Sequence, residues 1–203
     1  MKTYTAEELV KFEEDIADCF NNKQIRAPVH LYSGVEEQMI HYFENNVNEE
    51  DWCLCSWRSH YQCLLKGVPK EELKEAILNG KSISLSFPKY RVLSSAIVTG
   101  SLPIAVGIAL SIKRRNGKNK VHAFLGDMTS QTGMFNECYR YSINFDLPIN
   151  FIIEDNNKSV CTDTRKTWGL TGDLDFPQNT SKLSVIRYTS KYPHAGAGSR
   201  IQF

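Results

Sequence analysis

The sequence predicts an α/β fold with a doubly wound, mostly parallel sheet flanked by helices. Three observations carry that expectation. VHAFLGD is an apolar strand, Gly133–Phe145 reads as a helix, and INFIIEDNN after Pro148 is a second apolar strand. Strand, about 20 residues containing a helix, then strand is a βαβ unit, so these two strands run parallel. The apolar helix Ala96–Ile112 feeds directly into the first of them, and two more short apolar runs, Trp52–Ser56 and Leu183–Tyr188, supply further strands.

Taken in order, the first helix opens at Thr5, with Glu8 completing a capping box. Leu9, Phe12, Ile16 and Phe20 then recur on one face. Ser33 with Glu36 gives a second start signal ahead of Val35, Met39, Ile40 and Phe43. Arg58–Lys66 reads as a helix closed by Gly67. Pro69 begins another that stops at Gly80. Lys81–Leu93 has no clear period and reads as irregular. The tail YPHAGAGSRIQF is glycine-rich enough to be mobile. No repeat or low-complexity linker divides the chain, so residues 1–203 form a single domain with an N-terminal helical extension and a short C-terminal tail.

Composition narrows the function. With 24 Lys+Arg against 23 Asp+Glu, the chain lacks the basic surplus that grips nucleic acid. Ala96–Ile112 is at the bottom of the membrane-spanning range, holds Thr99, Ser101, Pro103 and Ser111, and reads as core. The acidic, amphipathic start does not resemble a signal peptide. Six cysteines include no CxxC pair, and several sit in apolar runs, where thiols behave as small hydrophobes. Neither a zinc site nor a disulfide framework is expected, and the protein reads as cytoplasmic.

In open α/β sheets, ligands sit beyond the carboxyl ends of the strands. Two polar clusters fall there: Gly126-Asp127-Met128-Thr129 and Glu154-Asp155-Asn156-Asn157. Asp127 alone can be a turn residue, and the paired asparagines alone a loop. Together, across one βαβ unit, they offer hard oxygen donors suited to Mg²⁺. A helix N-terminus just after Thr129 would add N–H groups for a phosphate.

GDMTSQTG…LPINFIIEDNN resembles the thiamine-diphosphate signature, GDG…NN. HLYSGVEEQ (His30–Gln38), WRSHYQCLLKG (Trp57–Gly67) and SAIVTGSLPIAVGIAL (Ser95–Leu110) are similar, in the same order, to blocks of the alpha subunit of 2-oxo acid dehydrogenases. The resemblance covers roughly residues 25–170. It implies a thiamine-diphosphate-binding fold that holds the cofactor with Mg²⁺. Asp127, the Asn157 side chain and the Ser159 carbonyl would be the metal ligands. Backbone groups of Met128 and Thr129 would face the diphosphate, and Arg58 would pair with it, with Trp57 standing where the family often has Tyr. Carbonyls of Ala96 and Val98 would contact the aminopyrimidine ring. His30 and His60 match histidines near the substrate and in the arginine block, and are the catalytic candidates. His41, His122 and Glu137 read as structural, and His194 has no counterpart.

Two departures stand out. Met128 replaces a signature glycine at a turn where a positive φ would be costly for methionine. Only 46 residues follow Asn157, and the histidine loop that the family uses with lipoyl partners is not recognisable. The resemblance therefore implies the diphosphate-binding subunit of a two-component enzyme that decarboxylates a small 2-oxo acid. A second subunit would carry the pyrimidine-binding domain and the activating glutamate, in an assembly of two copies of each. The alternatives are a non-catalytic scaffold of the same fold, favoured by Met128, and an unrelated phospho-acceptor domain using Asp127.

Overall fold

The computed structural model describes residues 3–175 and 180–197. Helix α1 (Ala6–Asn21) begins where expected: Thr5 Oγ1 accepts from the Glu8 amide at 3.2 Å and the Glu8 carboxylate accepts from the Thr5 amide at 3.0 Å. Helix α2 (Glu36–Asn46) follows, then strand β1 (Trp52–Cys55), helix α3 (His60–Leu65) and helix α4 (Lys70–Leu78). Ser33 does not cap α2. Val35 occupies the cap position, and the Ser33 hydroxyl instead accepts from the Lys191 amide at 2.8 Å. Arg58 lies just ahead of α3 rather than within it.

Lys81–Leu93 is not irregular. It contains strand β2 (Ser86–Phe87), a 3₁₀ turn at Pro88–Tyr90, and the start of strand β3 (Val92–Ser94). The apolar helix is shorter than expected: α5 spans Ser101–Arg114, and Ala96–Gly100 forms an exposed turn in front of it. Strand β4 (Val121–Gly126), helix α6 (Gly133–Asn144) and strand β5 (Ile149–Asp155) form the expected βαβ unit. A small hairpin of β6 (Lys158–Ser159) and β7 (Thr162–Asp163), helix α7 (Thr164–Thr167) and strand β8 (Leu183–Arg187) complete the described elements.

The six-stranded sheet has the order β2-β3-β1-β4-β5-β8, and only the β2–β3 pair is antiparallel. Period-two alternation sorts each strand between two cores. Leu54, Val121, Ala123, Leu125, Ile149, Phe151 and Ile153 pack with Leu102, Ala105 and Phe135 of α5 and α6. Cys53, Cys55, Phe124 and Ile152 face Leu9, Ile16, Met39, Phe43 and Leu64 of α1, α2 and α3. Such fully buried strands read as near-continuous apolar runs, which is why the sequence showed them plainly. All six cysteines are free, and no helix among the described residues is long and apolar enough to cross a membrane.

The segment after β8 does not hang free up to Ala197, contrary to the mobile tail expected; Gly198–Phe203 lie outside the described residues. Gly196 donates to the Val29 carbonyl at 2.9 Å, and Ala195 is buried. Gly34, at φ +79°, approaches Thr189 so closely that a Cβ there would sit 2.4 Å from the Thr189 carbonyl oxygen. No side chain fits at that crossing. Gly34→Ala should cost about 1–3 kcal/mol through backbone strain and displacement of the segment after β8, which straps across residues 29–34. Urea unfolding should show the lowered midpoint, with faster proteolysis at Lys191. An unchanged midpoint and cleavage rate would mean that the strap is not held by this contact.

Candidate functional site

The carboxyl ends of β1, β4, β5 and β8 meet at one edge of the sheet. Order reverses between β1 and β4, because the chain leaves β1 toward β3 on one side and returns to β4 on the other. Crevices form at such reversals. The β4–β5 register, Gly126 opposite Glu154, sets Asp127 beside Asp155.

These two neighbouring carboxylates are treated differently. Asp127 is 1% exposed and its Oδ2 has no hydrogen-bond partner. Burial pushes this carboxyl up to about 6, and the charge of Asp155 acts in the same direction. Asp155, also buried, is gripped by Arg165: Nη2 donates to Oδ2 at 2.9 Å and Nη1 to Oδ1 at 3.2 Å. Burial alone would raise Asp155, but Arg165 and the Asn157 amide outweigh it and hold the carboxyl below its usual range.

Past β5 the chain turns sharply at Asn157, which takes φ +59°, a conformation Asn tolerates better than most residues. Asn157 N–H donates to Asp155 Oδ1 at 3.0 Å. Its side-chain amide is held at both ends. Nδ2 donates to Asp163 Oδ2 at 3.0 Å, and Oδ1 accepts from Arg165 Nη1 at 2.7 Å. Ser159 follows in β6, half-buried.

Met128 takes φ −63° and ψ −38°, ordinary right-handed backbone, so replacing the signature glycine brings no strain. Its sulfur accepts from the Trp168 indole N–H at 3.0 Å. Thr129 is buried and opens a single 3₁₀ turn, Thr129–Gln131. Helix α6 starts at Gly133, as the sequence predicts. Its N-terminus therefore lies four residues beyond Thr129 rather than just after it, and Thr132 caps it by accepting from the Phe135 amide.

Arg58 follows β1 and lines a cleft with Trp57, Asn156, Lys158, Ser190 and His194. The cleft encloses about 80 Å³ and adjoins a shallower trough of about 380 Å³ that shares Asn156 and Thr189 with it. Arg58 Nε donates to the Leu31 carbonyl at 3.1 Å, and the guanidinium lies over the Tyr32 ring. Tyr32 reaches two acceptors, the Arg58 carbonyl at 2.9 Å and Glu154 Oε1 at 2.7 Å. Gln62 Nε2 donates to the Tyr32 oxygen at 2.7 Å. Burial raises the Glu154 carboxyl to about 7.

The two histidines expected to be catalytic part company. His30 is buried beside the cleft: Nδ1 donates to the His194 carbonyl, and its ring lies 4.3 Å from that of His194 and 6.0 Å from that of Trp57. Burial lowers His30 to about 3, so the ring is neutral. His60 is 0% exposed, with Nδ1 3.0 Å from Glu13 and Nε2 2.9 Å from Ser82. Both nitrogens are taken, and the ring does not line the cleft. Ala96 and Val98 stand in the exposed turn beyond β3. His122 is buried between Asp51 and Tyr42, as a structural histidine would be, whereas His41 and Glu137 are exposed. His194, Tyr32, Asp163 and Arg165 were missed. His194 follows Pro193 in a glycine-rich tail, and the others have partners that no short motif connects.

Glu154 supplies a pH test. Its ordinary value is 4.5 and its folded value about 7, so in that window the folded chain holds the proton that the unfolded chain has released. This group's contribution to stability therefore falls as pH rises from 4.5 to about 7, by at most about 1.4 kcal/mol per pH unit. Glu154→Gln should flatten that fall in urea unfolding measured across the window. An identical slope in both proteins would remove Glu154 as its source.

The family described as "Dehydrogenase E1 component" matches residues 4–172. The alpha subunit of an acetoin:2,6-dichlorophenolindophenol oxidoreductase from Cupriavidus necator is 32% identical over 162 residues, covering 74% of this chain and 48% of that protein. A pyruvate dehydrogenase E1 component alpha subunit from Rickettsia bellii is 28% identical over 169 residues, covering 78% and 52%. A chloroplastic alpha-3 subunit of that component from Oryza sativa is 27% identical over 164 residues, covering 71% and 38%. The match thus spans about two fifths to half the length of these curated relatives.

Proposed function

Because the chain belongs to the dehydrogenase E1 component family, we propose that it is the diphosphate- and Mg²⁺-binding subunit of a two-component thiamine-diphosphate enzyme that decarboxylates a small 2-oxo acid and passes on the acyl or aldehyde unit. One observation carries the reading: the buried, unpartnered Asp127 Oδ2 at the end of β4, beside the Asn157 turn. A buried carboxylate oxygen without a donor is costly unless a cation reaches it. The donor chemistry fits Mg²⁺. Asp127 brings the charge, Asn157 Oδ1 keeps a second lone pair beyond the one given to Arg165, and the Ser159 carbonyl completes the set.

Thiamine diphosphate, when bound, supplies the carbon nucleophile that attacks the 2-oxo group and lets CO₂ leave. Arg58, with Lys158 beside it, lends positive charge to the diphosphate, and backbone groups of Met128 and Thr129 face it. The carbonyls of Ala96 and Val98 are assigned to the aminopyrimidine ring. Neutral His30 shapes the substrate side without adding charge. His60 braces α3 through Glu13 and Ser82, and so positions the arginine block instead of touching substrate.

The reading also requires a partner. The enclosed part of the cleft is far below the roughly 300–1,000 Å³ of a complete small-molecule pocket. Ile97 is 74% exposed, and Val98, Ile104, Met134, Val160 and Trp168 are exposed as well. Apolar residues in the Ala96–Gly100 turn, on α5 and α6, and in the loops beyond β5 suit a subunit that carries the pyrimidine-binding wall and the activating glutamate. Two copies of each chain would close two such sites. The free thiols suit a reducing cytoplasm.

Titrating thiamine diphosphate with Mg²⁺ tests the site. Asp127→Ala should lose Mg²⁺-dependent binding while keeping its far-UV circular dichroism. Arg58→Ala should bind about tenfold or more weakly, since charged hydrogen bonds are worth about 1.5–3 kcal/mol. Wild-type affinity in Asp127→Ala would overturn the assignment.

A further inference from the structure

We infer that Asp163 and Arg165 are positioning residues that clamp the Asn157 amide and thereby set the affinity of the metal–diphosphate site. The inference rests on the reading that Asn157 is a metal ligand.

An asparagine side chain can ligate through oxygen only, and a free amide turns about its last bond to offer nitrogen as readily. Here that choice is removed. Asp163 Oδ2 accepts only hydrogen and so holds Nδ2, at 3.0 Å; Arg165 Nη1 donates only and so holds Oδ1, at 2.7 Å. A flipped amide would set oxygen against carboxylate and N–H against guanidinium, two repulsive contacts in place of two attractive ones.

A guanidinium beside a metal ligand would itself repel a divalent cation. Asp155 offsets that charge through the two-pronged pair at 2.9 and 3.2 Å, and Asp173 lies 3.5 Å from Nη2. Arg165 thus acts on Asn157 mainly as a hydrogen-bond donor with its charge already matched.

The clamp is short-range and local. Asp163 pairs with Lys158 across the β6–β7 hairpin and caps α7 by accepting from the Lys166 amide at 2.9 Å. Arg165 comes from the next turn. The seven residues from Asn157 to Asp163 fold back on themselves, so the metal-side turn carries its own brace. Partners of this kind commonly set metal affinity by 10–100-fold.

The test uses the full chain together with its partner subunit and thiamine diphosphate, counting free Mn²⁺ by electron paramagnetic resonance as the metal is titrated. Arg165→Met should weaken Mn²⁺ binding tenfold or more, and Arg165→Lys should recover part of the loss by restoring a donor. Asp163→Asn, which keeps one oxygen for the α7 cap, should also weaken binding. Arg165→Met should also lower the melting temperature, because it leaves the buried Asp155 carboxylate without its hydrogen-bonded cation. Asp163→Asn should move it little, so the loss of metal affinity is read from Asp163→Asn and from the Arg165→Lys rescue. The Asn157 side-chain N–H₂ resonances, followed without metal, should shift in Arg165→Met and Asp163→Asn. Unchanged Mn²⁺ affinity in both variants, with wild type binding normally, would overturn the clamp. Tighter binding in Arg165→Met would overturn it too, making the guanidinium a competitor of the metal. A wild-type chain that binds no Mn²⁺ with thiamine diphosphate even when its partner subunit is present would remove Asn157 as a ligand, and the clamp with it.

Discussion

The candidate site depends on one alignment, that of Gly126 on β4 with Glu154 on β5. Parallel strands in this register end together, and each next residue is an aspartate. Two adjacent carboxylates at a nearly dry strand edge repel each other unless something offsets their charge. The fold meets the problem asymmetrically. Asp155 receives Arg165 and stays ionised, whereas no donor reaches Asp127 Oδ2, and burial pushes that carboxyl up to about 6. A register slip of one residue would exchange the faces of every side chain on β5, sending Phe151 and Ile153 out of one core and Glu154 away from Tyr32. The apolar alternation of β5 therefore secures the polar edge.

Around that alignment, the cleft is assembled from distant pieces. Leu31 and Tyr32 support Arg58 from one side, and the strap after β8 brings Ser190 and His194 from the other. The strap is held where Gly34 lets Thr189 come close, where Ser33 accepts from Lys191, and where Gly196 reaches Val29. One short stretch, residues 29–34, thus anchors both the arginine and the strap. A substitution there acts on the cleft without lining it.

The sequence disclosed what short-range physics controls. β4 and β5 are buried on both faces and read as apolar runs, and the Thr5–Glu8 capping box is complete within four residues. Asp127 and Asn157 were legible because a strand end is a local feature. β2 and β3 were not, since strands of two and three residues are too short to display a period. Ser33 has the composition of a helix cap, but its hydroxyl serves a segment 158 residues away. His60 looked like site chemistry because it stands two residues from Arg58, yet its partner Glu13 is 47 residues earlier, and that pairing draws the ring into the core. Met128 looked disruptive only on the assumption that its turn needs a positive φ, which it does not.

Tyr32 has one hydroxyl hydrogen and two acceptors within reach, the Arg58 carbonyl and Glu154. Both cannot be served by that hydrogen at once. While Glu154 is ionised, its negative oxygen is the stronger acceptor and takes the hydrogen. Once protonated, the carboxyl can donate to the Tyr32 oxygen, and the phenol is then free to turn its hydrogen to the Arg58 carbonyl. The direction of the hydrogen-bond chain from Gln62 through Tyr32 is thus written by a single proton, on a carboxyl whose burial favours keeping it.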